Sequence, residues 1–195
     1  MNFLGHLLVS GNDPLVITGN FMGDAVKGRD LSAHPGRIQE GLRMHRTIDT
    51  FTDNHPIALQ GRERLRTHCG KYAGVALDIF IDHALASQWH AASGGKGTLQ
   101  EYAQRMYELL TAHAHLMPER TRRMLHYMVQ GDWLGSYARI DGVARALSGL
   151  AGRVPGGSVL LGAERVLTEH LDEYRSEGLD LLGRLRQHLQ PHGQG

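Results

Sequence analysis

Apolar residues recur at three- and four-residue spacing along nearly the whole chain, which is the periodicity of α-helices that bury one face. Stretches in which apolar and polar residues alternate are few, so β-strands are not expected. Turn-forming residues interrupt the helical pattern at Gly11–Pro14, at His34–Gly36 and at Asn54–Pro56. No linker divides the 195 residues, so the sequence predicts one all-α domain, a bundle of about seven to nine helices.

The breaks in the pattern define the predicted elements. We expect helices over residues 2–10, 15–26, 37–52, 57–69, 74–91, 99–115, 118–130, 132–150 and 158–189, the last stretch as one or two helices. Thr98 is predicted to be an N-cap, because Glu101 follows three residues later and completes a capping box. The domain is expected to cover residues 1–190, and residues 191–195 are expected to form a flexible tail.

Composition excludes several classes of protein. The 21 Lys and Arg residues nearly balance the 20 Asp and Glu residues, which excludes a general polycation for nucleic acid. The one cysteine, Cys69, cannot form an internal disulfide or a site with several thiolates, so a reducing cytoplasm is expected. No run approaches the ~20 apolar residues of a membrane span. Met1–Ser10 lacks the basic start of a secretory signal and is expected to be the first buried element.

Charge is distributed unevenly along the chain. Between Lys27 and Lys71 there are nine Lys and Arg residues and five acidic residues. Between Gly156 and Leu182 there are six acidic residues and two arginines. This pattern is typical of two solvated helix surfaces, or of a basic surface in the first half that attracts anionic substrates.

The strongest chemical signal is the apolar stretch Val75–Leu85, which contains Asp78, Asp82 and His83. An unpaired buried carboxylate costs several kcal/mol, so each carboxylate needs a cation or a hydrogen-bonding partner. Asp78 and Asp82 lie four residues apart on one helix face, and His83 is adjacent to that face. The three residues could bind a metal ion, or they could pair with arginine or cap another helix.

Two other segments place polar residues in similar surroundings. His45 and Asp49 are four residues apart beside an apolar helix face, which indicates one side of a divalent-metal site or a local His–Asp hydrogen bond. Asp24 lies among small and apolar residues near Lys27, and His6 interrupts the apolar first helix. Taken alone, Asp24 and His6 are also typical of an ordinary helix-end residue and a hydrogen-bonded core histidine.

Together these positions form one candidate ligand set drawn from four helices. A helical bundle can bring such side chains to one site. Imidazole with carboxylates suits Zn, Mn or Fe, and additional carboxylates favour Mn or Mg. The candidate metal ligands are His6, Asp24, His45, Asp49, Asp78, Asp82 and His83.

The same segments resemble a known family, the acyl carrier protein phosphodiesterases, also called acyl carrier protein hydrolases. The resemblance rests on Met1–Leu7, Gly19–Gly28, Met44–Asn54, Leu77–His83 and Asp132–Tyr137, and it runs from Met1 to about Arg153. The order and spacing of these segments are more specific than any one of them.

The resemblance implies a helical fold distantly related to the HD-type metal phosphohydrolases, although the order Asp82–His83 is the reverse of theirs. It implies hydrolysis of the phosphodiester between a carrier-protein serine and 4′-phosphopantetheine, with a divalent metal, Mn being favoured over Mg, Fe or Zn. The acidic residue of the family's early Asn-x-x-x-Asp segment falls on Asp24, which is expected to orient water or act as general base. Lys27 and Arg46 are expected to stabilise charge on the phosphate.

The expected partner is therefore an acidic carrier protein in a bacterial cytoplasm, with no nucleic acid and no membrane as partners. A basic rim would speed the encounter, and the candidates for it are Arg29, Arg43, Arg62, Arg64 and Arg66. Two other functions stay open. One is hydrolysis of a nucleotide or other small phosphoester by the same metal site, and the other is non-catalytic binding with structural polar residues only.

Overall fold

In the computed structural model, residues 1–190 form twelve α-helices and four short 3₁₀ turns, with no strand in that part of the chain. The helices are α1 (Phe3–Val9), α2 (Pro14–Phe21), α3 (Gly36–Asn54), α4 (Pro56–Cys69), α5 (Ala73–Ser87), α6 (Trp89–Ser93), α7 (Leu99–Ala112), α8 (Glu119–Gln130), α9 (Trp133–Ser136), α10 (Ile140–Ala151), α11 (Glu164–Glu169) and α12 (Leu171–Leu189). The all-α prediction is confirmed. Nine helices have seven or more residues, and the three beyond the predicted number, α6, α9 and α11, are shorter. The tail predicted at 191–195 lies outside the described residues.

Side-chain hydrogen bonds to the backbone mark the start of α7 and the end of α5. The Thr98–Glu101 capping box is present at the start of α7, as predicted. The helix predicted over 74–91 is instead divided into α5 and α6 at Gln88. The Gln88 backbone leaves the helical region, and its side chain donates to the carbonyls of Ala84 and Arg175. The sequence pattern did not show this break, because the partner at Arg175 is distant in the chain.

Helix α5 forms the centre of the bundle. Eleven of its fifteen residues are buried, and it packs against α1, α4, α10 and α12. Helices α2 and α3 pack against each other as a close pair. A Cβ atom at Gly41 would lie 2.1 Å from the carbonyl oxygen of Val16, so only glycine permits this approach. Among residues 1–190, no helix has both the length and the apolar composition needed to cross a bilayer.

Asp82, in the middle of α5, caps the first helix. The carboxylate is fully buried and accepts the backbone N–H groups of Asn2 at 3.2 Å, Leu4 at 2.7 Å and Gly5 at 3.0 Å. These N–H groups have no partner within α1, so the carboxylate satisfies the start of that helix. Burial raises the pKa of Asp82 to about 7, against the opposing effect of the Leu4 and Gly5 N–H groups. The helix-capping alternative therefore describes Asp82, and its oxygens are occupied by backbone rather than directed at a metal site.

Replacing Asp82 with alanine should destabilise the fold. The substitution leaves three buried N–H groups of α1 without an acceptor, so we expect the free energy of unfolding to fall by about 2–4 kcal/mol. Urea denaturation followed by circular dichroism measures this change. As a control, Asp180→Ala removes an exposed carboxylate paired with Arg184 and should cost less than about 1 kcal/mol. An unfolding midpoint for Asp82→Ala equal to that of the control would contradict the capping role.

Candidate metal centre

Two histidines and two carboxylates meet where α1, α2 and α3 come together. His6 comes from α1, His45 and Asp49 from one face of α3, and Asp24 from the 3₁₀ turn that follows α2. The ring of His45 lies directly against the backbone at Gly23, where a Cβ atom would be 2.2 Å from the imidazole. The small residue beside Asp24 therefore makes room for the histidine.

The donor atoms of this cluster converge. Asp49 bridges the two imidazoles, with Oδ1 3.2 Å from Nε2 of His6 and Oδ2 3.2 Å from Nε2 of His45. Asp24 Oδ1 lies 3.6 Å from the same His45 nitrogen. The two rings stack with centroids 4.3 Å apart. His6, His45 and Asp49 each offer one ligand atom, and these atoms all lie within 4.8 Å of one another.

Asn20 on α2 orients both histidines. Nδ1 of His6 donates to the Asn20 side-chain oxygen at 2.9 Å, and Nδ1 of His45 donates to the Asn20 backbone carbonyl at 2.8 Å. The amide nitrogen of Asn20 donates to the carbonyl of His6 and to the hydroxyl of Ser10, which fixes the amide with its oxygen toward His6. Both Nε2 atoms are thereby directed at Asp49. This is the arrangement by which partners outside the ligand sphere orient metal-binding histidines.

The charges of the cluster depend on burial and on these contacts. Burial opposes protonation of His45, but the hydrogen bonds to Asp24 and Asp49 outweigh it and raise the His45 pKa to about 9. Burial would raise the pKa of Asp49, yet the contact with protonated His45 holds it well below its usual range. Burial lowers the pKa of His6. In the metal-free protein at neutral pH, Asp49 is therefore anionic, His45 is protonated and His6 is neutral.

This arrangement suits a divalent cation. A neutral His6 that donates through Nδ1 presents a lone pair at Nε2, only 3.2 Å from an oxygen of Asp49. Two acceptors at that distance repel each other unless a cation lies between them. Two imidazole nitrogens with a carboxylate are ligands that Mn, Fe and Zn accept.

The cluster forms one end of a cleft of about 590 Å³. Asp53 and Asp78 also line the cleft, and most of the rest of its lining comes from the first three residues, from α5, and from residues of or next to α8, α9 and α10. The cleft is large enough to hold a small-molecule group beside a metal ion.

The structure thus brings together four of the seven predicted ligands, namely His6, Asp24, His45 and Asp49. Asp78 lines the same cleft, but its Oδ1 accepts the α-ammonium group of Met1 at 2.5 Å. Asp82 caps α1, and it does not line the cleft. His83 donates through Nδ1 to the carbonyl of Tyr137, and its buried Nε2 has no partner among the described residues. The prediction that Asp82 and His83 act as a ligand pair is therefore not supported by their contacts.

The two predicted phosphate-binding cations lie outside the cleft lining. Arg46 donates to the carbonyls of Val26 and Gly28, and Lys27 is exposed beyond the 3₁₀ turn. Within the predicted basic rim, Arg62 pairs with Asp53, Arg64 with Glu177 and Arg66 with Glu63. The arginines that do line the cleft come from the second half of the chain and were not predicted: Arg120, Arg145 and Arg153.

Sequence comparison assigns this chain to one family. The family model described as acyl carrier protein phosphodiesterase matches residues 1–185. The chain is 29% identical to the acyl carrier protein phosphodiesterase of Photorhabdus laumondii over 174 residues, which is 89% of this chain and 87% of that protein. It is 30% identical to the enzyme of that name from Enterobacter sp. (strain 638) over 90% of this chain and 91% of the relative.

The phosphodiesterase of Escherichia coli O6:H1 is 31% identical to this chain over 88% of this chain and 89% of its own length. No solved structure shows a significant match to the chain. The relationship to HD-type phosphohydrolases therefore stays a prediction from the sequence.

The metal-free protein should lose stability as the pH rises above 6.5. The pKa of His45 is about 9 in the folded protein, against an ordinary histidine value of 6.5, so the folded state binds more protons between these pH values. The stabilisation is complete below pH 6.5 and is lost as the pH passes through 9. We expect a fall of about 1–3 kcal/mol in the free energy of unfolding.

Urea titrations between about pH 6 and pH 9.5 in the presence of EDTA measure this slope. His45→Gln should flatten it, whereas His126→Gln, which replaces an exposed histidine on α8, should leave it unchanged. An equal slope in the wild type and in His45→Gln would contradict the ion-pair geometry.

Proposed function

The chain belongs to the acyl carrier protein phosphodiesterase family, and we propose that it hydrolyses the phosphodiester linking 4′-phosphopantetheine to a serine of holo acyl carrier protein. The products would be apo carrier protein and 4′-phosphopantetheine. The observation that carries the proposal is the His6–His45–Asp49 cluster beside Asp24, at one end of a deep cleft, in a chain matched by that family over residues 1–185.

We propose that the reaction depends on a divalent metal, with Mn favoured. His6 and His45 would hold it through Nε2 and Asp49 through its carboxylate, because these atoms already face one another. When bound, the metal would polarise a phosphate oxygen and lower the pKa of a coordinated water. Asn20 would keep both imidazoles in the tautomer that offers Nε2.

Asp24 is exposed to solvent, as expected of a residue that orients a water molecule. Its side chain is 81% exposed at the edge of the cluster, whereas the imidazole of His45 beside it is 8% exposed. The hydrogen bond to His45 lowers the pKa of Asp24, so it is a carboxylate at neutral pH. We propose that Asp24 orients the attacking water and accepts its proton. Asp49 would instead contact Nε2 of both histidines and hold the metal with them.

The substrate protein in this proposal is an acidic carrier protein. Only its prosthetic arm would enter the cleft, because a cleft of about 590 Å³ holds a small-molecule group and not a folded domain. A bacterial cytoplasm as the place of action is part of the proposal. It is supported by the bacterial origin of the relatives and by the lone, buried cysteine.

The proposal is tested by weighing the carrier protein. Purified enzyme is incubated with holo acyl carrier protein and Mn²⁺, with or without EDTA, and the carrier is analysed by mass spectrometry. We expect the mass of the phosphopantetheine arm to be lost only when metal is present. Asp24→Asn should slow this conversion about 100-fold or more, while metal binding is retained.

A matched control is Asp30→Asn, which replaces an exposed carboxylate on the same connecting segment, outside the cleft lining. It should cleave the carrier at the wild-type rate. An unchanged carrier with metal bound, together with hydrolysis of a small phosphoester, would instead favour the small-substrate function. Conversion that resists EDTA would exclude the metal mechanism.

A further inference from the structure

The cleft extends well beyond the metal centre, and its two ends differ in chemistry. The metal-centre end carries Asp24, Asp49, Asp53 and Asp78. The far end is formed by α8, α9 and α10 and has no acidic residue in its lining. We call this far end the α10 limb. The whole cleft, at about 590 Å³, is larger than the ligation of an ion requires, so it has room for an organic group beside the metal centre.

One face of α10 forms the wall of this limb. Gly142, Arg145, Ala146, Gly149, Leu150 and Arg153 line it, at spacings of three, one, three, one and three residues. These spacings place the first five on one stripe of α10, and Arg153 follows two residues after the helix ends at Ala151. Three of the six are glycine or alanine. Gly142 packs against the backbone of Ser136, whereas space remains in front of Gly149, where a Cβ atom would have only Arg153 within 4 Å.

Apolar side chains surround that space. Met124 from α8, Trp133 from α9, Leu150 from α10 and Val154, which follows α10, are all lining residues of the cleft. Each of these four side chains is only half-buried, so their apolar atoms still face the cleft. Such a surface favours a ligand segment that is itself apolar. Arg145 and Arg153 are exposed. Nη1 of Arg145 donates to Asp141 and Nε of Arg153 donates to the carbonyl of Gly149, and the other N–H groups of both guanidiniums are left to donate to carbonyl oxygens of a ligand.

We propose that the α10 limb binds the pantetheine arm of the substrate. The inference rests on the proposed function, which places the phosphodiester at the metal centre. The arm is bonded directly to that phosphate and must continue along the cleft from it. The arm is an uncharged chain that begins with a dimethyl-substituted carbon and continues through two amides, which matches apolar walls edged by N–H donors. The limb thereby selects carriers that have the arm and positions the phosphorus atom for the water at Asp24, so that the bond to the carrier-protein serine breaks and the phosphate stays on the arm.

Gly149 allows a substitution that fills the limb without disturbing the helix. A Cβ atom at this position would meet only the guanidinium of Arg153, at 3.9 Å. Gly183 on α12 is the matched control, because it is an exposed glycine within a helix and a Cβ atom there would meet nothing within 4 Å. Gly149→Leu and Gly183→Leu therefore add the same side chain to the same kind of backbone.

Two measurements test the proposal. In the first, pantetheine, which lacks the phosphate, is titrated into metal-free protein while Trp133 fluorescence is recorded. Wild type and Gly183→Leu should show a saturable change, which Trp133→Phe abolishes and Gly149→Leu weakens about tenfold or more. In the second, Gly149→Leu should raise the KM for holo carrier about tenfold, whereas Gly183→Leu should leave the KM unchanged.

The outcomes separate this proposal from the function on which it rests. If wild type does not cleave holo carrier, the proposed function fails, and the pantetheine titration alone decides whether the limb binds the arm. If wild type cleaves the carrier but Gly149→Leu matches Gly183→Leu in both measurements, the α10 limb does not hold the arm. The absence of any fluorescence change with pantetheine in wild type would also overturn the proposal.

Discussion

The candidate centre depends on one buried amide. Asn20 is fully buried and uses its side-chain oxygen, its amide nitrogen and its backbone carbonyl to hold His6 and His45. Because both Nδ1–H groups are engaged by Asn20, both Nε2 atoms must face Asp49. The close approach of α2 and α3 at Gly41 brings Asn20 and His45 within reach of each other. A shift in the packing of these two helices would separate the histidines and remove the site, so the chemistry rests on backbone proximity as much as on the ligands themselves.

The sequence predicted part of this centre, for a clear physical reason. His6, His45, Asp49 and Asp24 stand out as polar residues in apolar or tightly packed segments, and the structure brings them together. Asp82 and His83 are also polar residues in an apolar segment, yet their contacts are with the backbone of α1 and with Tyr137. The N–H groups that Asp82 accepts belong to residues about 80 positions away, and no local pattern identifies them. The all-α class, by contrast, follows from periodicity, which is local information.

The role of Asn20 and the arginines of the cleft were not predicted. Asn20 belongs to the Asn-x-x-x-Asp segment of the resemblance, but a neutral amide indicates no particular role until its two histidine partners are known. The arginines of the α10 limb lie in a region whose charge pattern is ordinary. The basic stretch that did stand out contains Arg62 and Arg64, which the fold pairs with Asp53 and Glu177. Charge counted along the chain therefore did not show which arginines line the cleft.

The central claim is that His6, His45 and Asp49 form one metal site, and crystallography can test it directly. Crystals of the protein grown with Mn²⁺ would be measured at a wavelength where manganese scatters anomalously. We expect an anomalous peak within bonding distance of Nε2 of His6, Nε2 of His45 and the carboxylate of Asp49. A peak at Asp78 or beside His83, with the His6–His45–Asp49 cluster empty, would contradict it.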